Sequence, residues 1–349
     1  MIVAVDTQLA VGTATGIGSY QRGLAAALAA AGVDVRALAA PRLDPWRFDR
    51  RVLWDQLLLP IAAARSGAQL LHATGGTLPA LRTLPTVVTV HDLAWLRVQA
   101  HARAYARAYF GTLQRRLYRR ADAVICDSSF SAHEYRALVE PDANVHVVPP
   151  AVDERFARIG RSPESEAFAL VVGTVEARKN LRVLVDALPA VPALRLVATG
   201  PYTPYADEVR ARAVERGVAD RLELRGYVER AELDRLYATA TCALVPSRYE
   251  GFGYAVAEAL CAGLPVIAAR SSSLVEVAAG AIPLVDPDDV AGWVDALRAL
   301  LADRDDAERS AHARRGGAVA RFGWSACAAA HAAIYRSVRL PRETASVDR

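Results

Sequence analysis

Two carboxylates, Glu250 and Glu258, stand eight positions apart in the stretch SRYEGFGYAVAEALCAGLPVI, residues 247–267. An ionised carboxylate only accepts hydrogen bonds and can hold a vicinal diol through two of them, the pattern that a sugar and a ribose both present. Between them, Gly251 and Gly253 let backbone N–H groups approach a phosphate where a helix begins. A plain strand, turn and helix with two solvated glutamates fits the pattern as well. Lys179 is the next candidate. It is the one lysine among 42 Lys and Arg residues, and it falls just before an apolar helical pattern of Leu181, Leu184, Val185 and Leu188. A helix N-terminus favours anions, so a surface lysine is poorly placed there, whereas a compact point charge for a phosphate explains it. His91 and Asp92 end the apolar run TVVTVHDL. A histidine at a strand end is more often structural than catalytic, and Asp92 either orients its imidazole or caps the next segment.

These residues need elements to position them. Strand-like runs recur at 2–5, 33–38, 69–72, 86–91, 123–126 and 145–148, and again at 168–172, 194–198, 221–224, 242–245, 265–268 and 281–285, with helical patterns between. Alternating strand and helix predicts parallel sheets covered on both faces, and two such series predict two doubly wound α/β domains. The polar segment 151–166, after Pro149 and Pro150, marks the break. Open parallel sheets bind ligands beyond the carboxyl ends of their strands, where Glu250 and Glu258 can face one cleft. The first turn carries Gly12, Gly16 and Gly18 and opens a helix with Tyr20, Leu24, Ala27, Leu28 and Ala31 on its apolar face. A glycine loop of this kind either seats an anion or packs closely against the sheet.

At 349 residues there is room for two ordinary cores, and 53% apolar with 23% charged residues places the chain among soluble globular proteins. No apolar run approaches the roughly 18 residues of a membrane span, and the first residues carry no basic leader, so a cytoplasmic protein is expected. Cys126, Cys242, Cys261 and Cys327 sit singly in apolar segments, which predicts packed thiols rather than a disulfide frame or zinc site. The net charge of +4 does not by itself imply nucleic acid.

The 247–267 stretch resembles the signature of the retaining family 4 glycosyltransferases of the GT-B fold. That signature has a Glu-Gly-Phe-Gly run, a second Glu eight residues after the first and an Ala-x-Gly-x-Pro-Val close, each position filled here. The resemblance covers most of the chain. It implies two Rossmann-like domains facing a central cleft: an acceptor domain over 1–150, with a C-terminal helix at about 325–340 packed back on it, and a donor domain over 151–324. It places Gly16 and Gly18, in GIGSYQRGLAAAL, near the donor phosphates and His91 beside the donor hexose. Gly173, Thr174, Arg178 and Lys179, in GTVEARKN, fall at the diphosphate. Tyr227 and Val228 fall near the base, Glu250 at the hexose, Gly251, Phe252 and Gly253 at the helix N-terminus that faces the phosphates, and Glu258 at the ribose. Thr174 stands where many members have arginine. Arg178 is a candidate for the second charge, although side chains one residue apart on a helix diverge.

By the same resemblance the anomeric configuration is retained without metal or cofactor, a nucleotide-diphosphate sugar is the co-substrate, and the leaving phosphate takes the proton of a saccharide or glycoconjugate acceptor. The GTVEARKN form looks most like mannosyltransferases, which puts GDP-mannose first. A UDP- or dTDP-sugar donor, a nucleotide-sugar epimerase on the same fold and a non-catalytic nucleotide-sugar-binding module stay open. So does contact with anionic membrane through Arg97 to Arg120, a stretch of arginines interleaved with aromatics whose plainer reading is a solvated helix face. Asp286, Asp288 and Asp289 superficially form a metal-binding D-x-D, but a helical pattern follows at 290–301, so N-capping is expected and no metal.

Overall fold

The computed structural model describes residues 1–12, 16–97 and 104–338. The chain divides into two compact units, residues 1–151 with 324–349, and residues 152–323. Each is built on a six-stranded, fully parallel sheet.

The first sheet contains β1 (Ile2–Asp6), β2 (Asp34–Leu38), β3 (Leu70–Ala73), β4 (Thr86–Val90), β5 (Ala123–Cys126) and β6 (Val145–Val147), in the order β2-β1-β3-β4-β5-β6. The second contains β7 (Phe168–Val172), β8 (Arg195–Thr199), β9 (Leu222–Gly226), β10 (Cys242–Val245), β11 (Val266–Ala269) and β12 (Leu284–Val285), in the order β12-β11-β10-β7-β8-β9. All twelve expected strands are present. They were readable because a parallel strand is covered on both faces and is apolar along its whole length, as in β4 and β10, where every residue is buried. The chain reverses its direction of travel once in each sheet, between β1 and β3 and between β7 and β10. Those two crevices are where loops from neighbouring strands diverge and leave room for a ligand.

In the first unit the helices Gly16–Ala30 and Trp324–Ser337 cover one face of the sheet, burying Tyr20, Leu24, Leu28 and Tyr335 against Val3, Val5 and Leu70. Polar groups under this layer satisfy one another: Tyr20 meets His331 Nε2 at 2.9 Å, while His72 joins Tyr335 and Thr89 at 2.7 and 2.8 Å. In the second unit a single core fills both faces, from Phe156 and Leu184 to Trp293 and Phe322. Cys126, Cys242, Cys261 and Cys327 are free and buried. Asp289 caps the helix Val290–Ala302 by accepting from Gly292 N, and Asp288 accepts from Arg248. Among the described residues no helix is long and apolar enough to cross a membrane.

Candidate functional site

In the second unit the β7 and β10 loops meet at the sheet's crevice. The β10 loop lifts Glu250 over the strand ends, and its carboxylate, with only 7% of the residue exposed, is surrounded by donors. Lys179 Nζ donates to Oε1 at 2.5 Å, Ser247 Oγ to the same atom at 2.7 Å, and Arg178 Nη1 to Oε2 at 3.2 Å. Burial alone would raise this carboxyl, but the two cations and the hydrogen bonds outweigh it and hold Glu250 below the usual carboxylate range. The site therefore presents a fixed anion beside two cations, a combination suited to a hydroxyl-rich ligand that carries phosphate.

Arg178 corrects the expectation that its side chain would diverge from that of Lys179. Residues Ala177–Lys179 form a 3₁₀ turn that ends at Asn180 in the left-handed region (φ 55°), so the two are not neighbours on an α-helix and both reach Glu250. The helix proper starts afterwards, at Leu181. Gly173 lies in front of Lys179, and Gly200 backs it so closely that a Cβ there would stand 2.1 Å from the Gly173 carbonyl oxygen. Thr174 lies beside Gly173, half-buried.

The loop leads into the helix Tyr254–Ala262 through Gly253, whose φ of 97° excludes ordinary side chains. Gly251 is buried in the turn. The ring of Phe252 packs edge-on against Phe322 at 5.7 Å in the core, so this residue brings only its backbone to the loop. Glu258 is a further correction to the picture of two ionised carboxylates. It accepts a hydrogen bond from Tyr237 at 2.8 Å, and burial pushes it up to about 7, so near neutrality it is only partly ionised. Tyr227 is exposed and Val228 half-buried just beyond β9.

Three serines that the sequence reading missed complete this loop. Ser272 Oγ accepts from Glu250 N at 2.9 Å, Ser273 Oγ donates to Glu250 O at 2.9 Å, and Ser271 Oγ donates to Ser247 O at 2.5 Å. The signal was present as the run Ser271–Ser273, one residue after an apolar strand.

In the first unit His91 follows β4, and its ring is held from both sides. Nδ1 lies 2.7 Å from Asp127 Oδ2 and Nε2 lies 2.9 Å from the Thr74 carbonyl. Both partners offer acceptor oxygens, an arrangement that favours the doubly protonated ring. Burial opposes that charge, but Asp127 overcomes it and raises the histidine above its ordinary value. Asp127, not Asp92, orients the ring. The pairing Val90↔Cys126 between β4 and β5 sets the two strand ends side by side. Asp92 instead caps the next turn, accepting from Ala94 N at 3.0 Å.

Gly18 packs so near the preceding turn that a Cβ would stand 2.4 Å from the Leu9 carbonyl oxygen, while Gly16 starts the helix in an exposed position. In the basic stretch, Arg97 forms a paired contact with Glu134 (2.6 and 2.7 Å) and Arg119 Nε donates to Val139 O, while Tyr109 and Tyr118 are buried. Arg103 lies outside the described residues, as do Leu340 and the tail after it. Among the described residues no group of three or more His, Cys, Asp or Glu is arranged to hold a metal.

Residues 14–156 match the family model described as Glycosyltransferase Family 4, and residues 152–316 match that described as Glycosyl transferases group 1. The chain is 39% identical over 171 residues to the O-antigen chain mannosyltransferase B of Escherichia coli, covering 46% of this chain and 44% of that protein. It is 33% identical to a D-inositol 3-phosphate glycosyltransferase of Xylanimonas cellulosilytica, covering 72% and 66%. It is 31% identical to a GDP-mannose-dependent alpha-(1-6)-phosphatidylinositol monomannoside mannosyltransferase of Mycobacterium tuberculosis, covering 78% and 71%. The chain thus spans less than half of the first relative and just under two thirds of the second. Among solved structures, a sucrose-phosphate synthase from Thermosynechococcus elongatus superposes with a TM-score of 0.76 at 24% identity, covering 96% of this chain and 98% of that one. WaaG, a glycosyltransferase involved in lipopolysaccharide biosynthesis, gives 0.69 at 17%, covering 95% and 99%. At these identities the structural likeness is one of fold, and with two parallel six-stranded sheets that fold is GT-B.

Proposed function

The chain belongs to glycosyltransferase family 4, and from that premise we propose that it transfers a hexose, with retention of configuration, from a nucleotide-diphosphate sugar to a saccharide or glycoconjugate acceptor. GDP-mannose is the first donor to test, ahead of UDP- and dTDP-sugars. Two of the relatives named above are mannosyltransferases, one described as GDP-mannose-dependent.

The observation that carries this reading is the Glu250 carboxylate held among Lys179, Arg178 and Ser247 at the β7–β10 crevice. Lys179 and Arg178 would neutralise the diphosphate as the sugar–phosphate bond breaks, which is electrostatic catalysis by preorganised charge. The Gly253 end of the helix Tyr254–Ala262 would add backbone donors. By the family resemblance Gly16 and Gly18 would contact donor phosphate, and Gly173, Thr174 and Gly251 would form walls of the site in the second unit. Glu250 would hold hexose hydroxyls and Glu258 the ribose, with Tyr227 and Val228 at the base. His91, whose basicity Asp127 raises, would sit at the transferring sugar and favour negative charge there. The departing phosphate would take the acceptor proton, so the proposed reaction uses no cofactor or metal. The exposed Arg107, Arg115 and Arg116 are the candidates for contact with anionic lipid.

The test is incubation with GDP-mannose, UDP-glucose or dTDP-glucose and a mannoside acceptor in excess chelator, with product configuration read by NMR. GDP release coupled to an α-mannosyl product is expected. Turnover of UDP-glucose alone would change the donor. Free nucleotide and an epimerised sugar without acceptor would indicate epimerisation, and binding of every donor without turnover would indicate a binding module.

A further inference from the structure

The first unit holds a cavity of about 330 Å³ beside His91, within the size range of pockets that take small organic ligands. Two helical segments build it, each with a π-type turn: residues 48–65, with the turn at Trp54–Leu58, and residues 104–118, with the turn at Arg107–Gln114. They set Phe48 and Phe110 with ring centres 6.3 Å apart, and Trp95 continues the wall at 6.3 Å from Phe110 and 6.2 Å from Tyr118. Trp46, 52% exposed, also lines it.

Most polar groups on this wall are already committed to neighbouring residues. Arg51 donates through Nε to Asp55 at 2.8 Å and through Nη2 to the Gly75 carbonyl and the Thr77 hydroxyl. His91 spends both nitrogens on Asp127 and Thr74. Asp92 gives one carboxylate oxygen to Ala94 N, which leaves the other for a ligand hydroxyl. A bare saccharide buried here would lose its hydroxyls' water without gaining partners for most of them, which is unfavourable for each group left unsatisfied. A flat apolar ring would gain edge and face contacts with the aromatic wall.

We infer that this pocket binds an aromatic aglycone of the acceptor, so that the acceptor is a glycoside or hydroxyl compound built on a flat ring system, with its polar end toward Asp92 and His91. The inference rests on the reading of His91 as the residue beside the transferring sugar.

Calorimetric titration of the full chain, without donor, compares 2-naphthyl, octyl and methyl α-D-mannopyranoside, which share one sugar and differ only in the aglycone. The naphthyl glycoside is expected to bind at least about ten-fold more tightly than the methyl one, with the octyl between them. Trp46→Ser and Phe110→Ser should each remove most of that preference while leaving nucleotide-induced thermal stabilisation intact, which also verifies that the variants fold. Equal binding of the three mannosides, octyl binding tightest, or a preference unchanged in both variants would overturn the inference. Failure of the transferase reading is separable: it would appear as absent nucleotide binding or turnover with the naphthyl preference intact.

Discussion

The two sheets each reverse strand order once, yet the crevices they create carry opposite chemistry. At β7–β10 the loops bring Lys179 and Arg178 onto Glu250, with part of each cation open to water. At β1–β3 the charges are sealed in. Asp6 is fully buried, accepts from Gln8 N and Trp54 Nε1, and is pushed up by burial to about 6, while Arg51 is tied to Asp55 and Thr77. What the first unit leaves for a ligand is a largely apolar pocket that includes Trp46, Phe48, Trp95, Phe110 and Tyr118. One topological rule thus supplies two crevices, and the loops decide that one carries charge and the other aromatic side chains.

Glu250→Gln breaks the charged side most directly. It leaves Lys179 without its counter-charge and Arg178 with Glu176 alone, and it weakens the acceptor for hexose hydroxyls, so transfer should fall by about 10²- to 10³-fold. Steady-state kinetics check this, and activity within a few-fold of wild type would remove Glu250 from the mechanism.

Asp127→Asn tests whether the first unit keeps a charge of its own at His91. The histidine is raised, so it contributes stability that is fully present below its unfolded value of 6.5 and is lost as pH rises through its higher folded value. The stability gap between wild type and Asp127→Asn should therefore be widest below 6.5 and narrow above it. NMR titration of the imidazole should show the histidine lowered in the variant, and an unmoved titration would contradict the assignment of Asp127.

Glu258→Gln gives the smallest effect and sharpens the comparison within the second unit. This carboxyl is raised from 4.5 to about 7, so the folded state keeps a proton that the unfolded chain has lost. Wild-type stability is consequently eroded as pH climbs through that window and stays reduced above it. The variant should match wild type near pH 4 and become the more stable protein by pH 8, as read from chemical denaturation at a series of pH values. A constant difference across that range would mean that Glu258 ionises normally.

The strands were legible because burial on both faces writes continuous apolar runs, and Lys179 stood out because the rest of the chain uses arginine. Glu250 and Gly253 stood out because a carboxylate among cations and a positive-φ glycine before a helix both leave their mark on residue type. Asp127 was not, since its link to His91 comes from the β4–β5 register across 36 residues of sequence, although an aspartate directly after an apolar strand was a usable sign. Ser271–Ser273 were missed for the same reason, being brought to Glu250 only by the order of β10 and β11. Phe252 was read with the binding loop, but its ring belongs to the core. The raised Glu258 depends on how completely its surroundings exclude water, which spacing does not record.

The most direct test of the central claim is thermal unfolding of wild type and Lys179→Ala with GDP, UDP, ADP and dTDP, each in excess chelator. A nucleotide at about a hundred times its dissociation constant adds about 2.7 kcal/mol, enough to raise the midpoint by several degrees. The account predicts the largest rise with GDP and its loss in Lys179→Ala. No rise with any nucleotide, or the same rise in Lys179→Ala, would contradict a donor diphosphate held at Lys179.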